Sequence, residues 1–127
     1  MRRALRTSVV AASAFALASC SPPEIKIATE QLNGRQVIRL TQDWGLIFSR
    51  EKPPCVDRVD LSQSGSNGKP IWRFEAKTEQ CVNLSTFVVG KVPAGFVESI
   101  ALLTPPRGRF DLLVVGIGIG EAHISLP

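Results

Sequence analysis

The chain has 127 residues, with 15 Lys and Arg against 11 Asp and Glu, and is 44% hydrophobic and 20% charged. That length allows one domain, and that balance excludes a disordered chain, a collagen and a coiled coil. Three of the cations, Arg2, Arg3 and Arg6, lie in the first twenty residues, which hold no acid. Taking those three from 15 leaves 12 against 11. A chain so near neutral, with no basic run, offers little to phosphate, so nucleic acid is not an expected partner.

Residues 1–20 read MRRALRTSVVAASAFALASC. A positive start is followed by a mostly apolar stretch from Ser8 to Ala18, which has the length of an export-signal core. It is too short to span a bilayer, which takes about 20 apolar residues. The stretch ends in Leu17-Ala18-Ser19-Cys20. This resembles the lipobox of bacterial lipoproteins, an aliphatic residue and two small ones before a cysteine, and it matches at every position. The resemblance covers only these twenty residues. It implies that the Cys20 thiol takes a diacylglyceryl group, that a peptidase cuts between Ser19 and Cys20, and that the new amine is acylated in turn. One acyl chain binds a membrane marginally, whereas two or three hold it stably. By the sorting rules of enteric-type bacteria, Ser21 after the acylated cysteine implies the outer membrane, facing the periplasm. Arg2-Arg3 also resembles a twin-arginine signal, but Ala4-Leu5-Arg6 does not continue it, so export of the unfolded chain is expected.

The expected division is a lipoprotein signal peptide at 1–19, a lipidated N-terminus and tether at 20–35, and a β-sandwich domain at 36–127. Residues 21–35 contain Pro22-Pro23, mixed charge and little periodicity, with room for a first strand near Ile25–Ala28. Short β-rich runs separated by turn signals follow. Val37–Thr41 and Trp44–Ser49 read as strands around Gln42-Asp43. Glu51–Pro54, with its Pro pair, reads as a turn, and Val56–Ser62 and Ile71–Lys77 form a hairpin about the turn-rich Gln63–Pro70. In the latter strand Trp72, Phe74 and Ala76 share one face. Cys81–Gly90, Phe96–Leu103 and Phe110–Ile119 complete the set, with a continuation over Ala122–Leu126. No stretch after residue 20 has a helical apolar period. About seven strands at this spacing predict an all-β, small immunoglobulin-like sandwich. The order Cys55, Trp72, Cys81 resembles that of immunoglobulin domains. The interval between the cysteines is too short for that family and the chain has no Tyr, so the reading stops at the sandwich.

With Cys20 lipidated, Cys55 and Cys81 remain, and two cysteines in an exported domain permit one disulfide. A metal pair or a reactive thiol are the alternatives, but zinc wants four ligands and the only histidine is His123. No metal and no cofactor are expected. His123 has Glu121 on its own strand face but no serine motif such as G-x-S-x-G, so it reads as a surface residue. Asp57 and Asp60 project to opposite strand faces, and Asp43 reads as a turn residue. Gly116, Gly118 and Gly120 lack the spacing of a nucleotide-binding loop. On a strand they share a face, which makes a candidate groove or a place where an aromatic ring such as Trp44 or Trp72, or another backbone, packs closely. Phe110, Leu112 and Val114 begin one apolar row, and Leu113, Val115, Ile117 and Ile119 form a second. A sandwich buries only its inner face, so one row needs a cover from a loop, a bulge or a partner. The second row can be left exposed. It is therefore a candidate strip for docking an envelope protein or a second copy. The aromatics Trp44, Phe48, Trp72, Phe74, Phe87, Phe96 and Phe110 are expected mostly in the core.

No cluster has a spacing suited to catalysis, so the expected role is that of a non-catalytic envelope interaction or structural module held to the bilayer through acylated Cys20. A small-ligand, peptide or glycan binder is the alternative.

Overall fold

A computed structural model describes residues 21–127; Cys20 and the export signal lie outside the described residues. The strands are β1 (Ile25–Leu32), β2 (Arg35–Asp43), β3 (Glu51–Lys52), β4 (Cys55–Gln63), β5 (Pro70–Ala76), β6 (Val82–Asn83), β7 (Thr86–Phe87), β8 (Phe96–Ile100), β9 (Gly108–Gly116) and β10 (Gly118–Leu126). They form two antiparallel sheets packed as a sandwich. One sheet orders β1-β2-β3, with β7 also on β2. The other orders β10-β9-β4-β5-β8, with β6 also on β4.

Side-chain alternation decides which face is buried. In β2 the inward row is Ile38, Leu40 and Gln42. In the larger sheet it is Val59 and Leu61, Trp72 and Phe74, Phe110, Leu112 and Val114, and Ile124. The two layers meet through an aromatic cluster. Phe87, from the smaller sheet, stands edge-on to Phe74 at 5.3 Å between centroids, and Phe74 meets Trp72 at 5.1 Å and Phe96 at 5.0 Å. The one indole N–H in this core donates to Glu98 at 2.8 Å, so the ring is buried without an orphaned donor.

Several elements depart from the expected ones. Residues 25–35, expected within the tether, belong to the sandwich, because Asn33 and Gly34 both take positive φ and close a two-residue hairpin between β1 and β2. Asn-Gly is the sequence best suited to that turn. Only residues 21–24 remain between Cys20 and the fold. Trp44–Ser49 is not a strand but the connection between β2 and β3, and Glu51–Lys52, expected within a turn, is β3, paired with Gln42 and Asp43. Cys81–Gly90 is broken into β6 and β7, which cross from the larger sheet to the smaller. Leu84 N–H donates to Pro54 O on one side of the crossing, and Leu40 N–H donates to Ser85 O on the other. The strand expected at Phe96–Leu103 ends at Ile100. Phe110–Ile119 is not one strand: the chain reverses at Ile117, with Ile119 opposite Val115.

Cys55 and Cys81 form a disulfide. Cys55 opens β4, and Cys81 precedes β6 on the same sheet, so the bond pins the crossing segment rather than bridging the layers. Closing a loop with a sequence separation of 26 residues contributes roughly 3–4 kcal/mol in the chain-entropy account. The double variant Cys55→Ser/Cys81→Ser is expected to lose about that much unfolding free energy in urea titration and to keep its far-ultraviolet β signature.

Candidate functional site

The glycine hairpin lies where β9 and β10 meet the entry of the chain. Gly116, Gly118 and Gly120 face inward, as the alternation requires, but no open groove lies over them. A Cβ at Gly116 would collide with Cys55 O, and one at Gly120 with Ile25 O. One at Gly118 would lie 2.7 Å from Pro23 O and 2.6 Å from Gln42 Nε2, and Gly118 also has φ +101°. The place of the candidate groove is thus taken by the backbone of β4 and of the entering chain, not by Trp44 or Trp72.

A single buried side chain ties these pieces together. Gln42 is 1% exposed, and its Nε2 donates to Pro23 O at 2.7 Å and to Ile117 O at 2.6 Å. Both protons of the amide are used. The entering segment, the turn at Ile117 and the end of β2 therefore meet at one end of the sandwich. Sequence reasoning placed Gln42 in a turn; its inward position follows from the alternation with Ile38 and Leu40.

The loop leaving that end is Trp44-Gly45-Leu46-Ile47-Phe48. Leu46, Ile47 and Phe48 are 102%, 89% and 84% exposed, and Trp44 is 44% exposed. Trp44 and Phe48 are thus surface aromatics, contrary to the expectation of a core role. The loop is nonetheless tightly built. The Asp43 carboxylate accepts from Gly45 N–H at 2.9 Å, Arg50 N–H at 2.8 Å and the Ser49 hydroxyl at 3.1 Å. Trp44 N–H donates to Arg50 O at 3.0 Å. A side chain at residue 45 would strike Phe48 O, so glycine is what lets the loop fold back. The two backbone donors, Arg50 foremost, hold the Asp43 carboxyl below its ordinary range.

The apolar row on β9 and β10 divides in two. Leu113 and Val115 are half-buried beside a charged ladder: Asp60 faces Leu113 across the sheet, and Arg58 faces Val115. Arg73 grips Asp60 through two bonds of 2.6 and 3.1 Å. Ile117 and Ile119, beyond the ladder, stay 49% and 57% exposed.

His123 is an outward residue of β10, paired through Nδ1 with Asp111 Oδ1. The Ser64 hydroxyl donates to that same oxygen at 3.3 Å. The carboxylate thus stands between serine and imidazole, whereas activation of a serine needs the imidazole in the middle. Asp57 is exposed at a bulge in β4 and Asp60 is buried beneath its arginines, so these two carboxylates do not converge. Among the described residues no group of His, Cys, Asp or Glu is arranged to hold a metal. At the opposite end of the sandwich a cleft of about 570 Å³ opens between β5, β8 and the start of β9, lined by Ile71, Ile100, Leu102, Leu103 and Phe110. Comparison with protein-family models, curated proteins and solved structures finds no match to the chain.

Two outcomes follow for this end of the molecule. Gln42→Leu leaves the Pro23 and Ile117 carbonyls without their donor, at about 1–3 kcal/mol of stability; its urea midpoint is expected to fall, with faster amide exchange at Ile117. The depressed Asp43 carboxyl braces the loop above its ordinary range, and that contribution is lost as pH falls through its lowered value. Acrylamide quenching of Trp44 is therefore expected to rise on acidification through and below the usual carboxylate range. Asp43→Ala should show the raised quenching already at neutral pH.

Proposed function

We propose that the chain is a lipid-anchored module of the bacterial envelope that works by interaction rather than catalysis. The observation that carries this reading is Leu17-Ala18-Ser19-Cys20 at the end of a short apolar export stretch, followed within five residues by the first strand of a closed sandwich. Acyl chains on Cys20 hold the molecule at a bilayer, and Ser21 directs it to the outer membrane, facing the periplasm. Near-neutral charge after residue 20 and a disulfide between the two remaining cysteines suit that compartment. The exposed pair Ile117 and Ile119, with half-buried Leu113 and Val115, is the candidate contact for an envelope protein or a second copy.

The cleft at the far end favours a second reading, a binder of a small apolar ligand or peptide. Its volume is within the usual range for ligand sites, and fully exposed Leu103 stands at its rim. Crosslinking of the cells' envelope, with photoreactive groups placed in turn at residues 103 and 119, would tell the two surfaces apart. The first reading expects protein adducts from residue 119, the second a small adduct from residue 103.

The anchor itself is tested by Cys20→Ser. The natural chain is expected to incorporate an alkyne-tagged fatty acid and to stay with the membrane pellet through a high-salt wash. The variant should take no label and should lose the cut before residue 20. Unchanged cleavage and unchanged retention in the variant would overturn the reading.

A further inference from the structure

We propose that the Trp44–Phe48 loop is a second membrane contact, inserting into the same bilayer that holds Cys20. The inference rests on the lipid-anchor reading and adds an orientation to it.

Distance constrains the geometry first. Gln42 fixes Pro23 to the loop end of the sandwich. Cys20 is three residues from Pro23, and a chain reaches at most ~3.6 Å per residue, so the acylated residue lies within about 11 Å of that point. A headgroup layer adds only about 5–8 Å to each side of the hydrocarbon core. Once the acyl chains are in the core, this end of the domain stands within a few ångströms of the lipid surface.

What that end presents is apolar. Among the described residues, nine large hydrophobic side chains are exposed. Four of them, Trp44, Leu46, Ile47 and Phe48, belong to this loop, and Ile117 and Ile119, the pair assigned above to a protein partner, lie on the turn that Gln42 clamps beside it. Three consecutive large apolar side chains at such exposure are not the surface of a module that meets only water. A tryptophan at the base of the loop suits the headgroup level, where an amphipathic ring sits well. The Asp43 bonds and the fold-back at Gly45 hold the loop in shape, so little ordering is left to be done on insertion. Lys26, whose charge acts on Asp43, flanks it with Arg50 and Lys52, but Asp43 and Glu51 stand there too. Apolar insertion rather than charge therefore drives the contact, which is expected to survive high salt.

The test uses the full-length acylated protein reconstituted into phosphatidylcholine vesicles, with or without bromine on the acyl chains. The chain has two tryptophans, and Trp72 is fully buried. Bromolipid is expected to quench the wild-type emission, and Trp44→Phe should abolish that quenching. Phe48→Trp in the Trp44→Phe background should restore it, including at high salt. The mass of the N-terminal peptide is read in the same sample. An acylated Cys20 with both reporters unquenched would overturn this inference and leave the anchor standing; an unmodified Cys20 would overturn both. Concentration-dependent shielding of Trp44 from acrylamide before any lipid is added would assign the loop to a second copy and overturn the inference.

Discussion

The amide of Gln42 organises one end of the molecule. It is the fully buried polar side chain of β2, and it holds Pro23 and Ile117 at once. Everything distinctive about the surface follows from that pair of bonds. They fix where the chain enters, bring the glycine turn against it, and set both beside the loop that leaves β2. The three glycines are a consequence of this closeness. With backbone against backbone at residues 25, 55 and 23, any side chain at 120, 116 or 118 would collide. The apparent ligand motif in VVGIGIGE thus records packing between strands.

The parts of the fold legible in the sequence are those governed by alternation and by turn chemistry. β4 and β5 could be read from their period of two and the turn-rich stretch between them. The division of β5 and β9 into two rows followed for the same reason, and burial of Trp72, Phe74, Leu112 and Val114 shows which row is inward. The missed elements share a cause: local pattern competes with packing that a sequence does not display. The second half of IKIATEQL is polar because β1 lies at the edge of its sheet, so its strand looked like a tether. Asn33-Gly34 was the available signal. WGLIFS has the composition of a strand, yet Asp43 and Gly45 turn it outward. The reversal at Ile117 was hidden by apolar residues on both sides, which made two strands resemble one long one.

The candidate site was legible only in fragments. Leu113, Val115, Ile117 and Ile119 do share an outward row, but half of it is flanked by the Arg58, Asp60 and Arg73 ladder, which a linear reading could not place. Gln42 gave no chemical signal of its own, because its role depends on two carbonyls 19 and 75 residues away. The surface apolar loop was within reach through its composition, but strand propensity outweighed it. The picture that unites these fragments is polar by position. One end carries the chain entry and most of the exposed apolar side chains, and the other carries the chain terminus and an open cleft. In the proposed reading, a lipid anchor at the first end would present the second to the periplasm.

Hydrogen exchange on the acylated protein, compared between lipid nanodiscs and dilute detergent, tests this orientation most directly. The account predicts that amides of residues 44–50 gain protection in the nanodisc, while those of 33–34, 64–69 and 103–107 exchange as before. Protection gained at the latter segments instead, or no difference at either end, would contradict it.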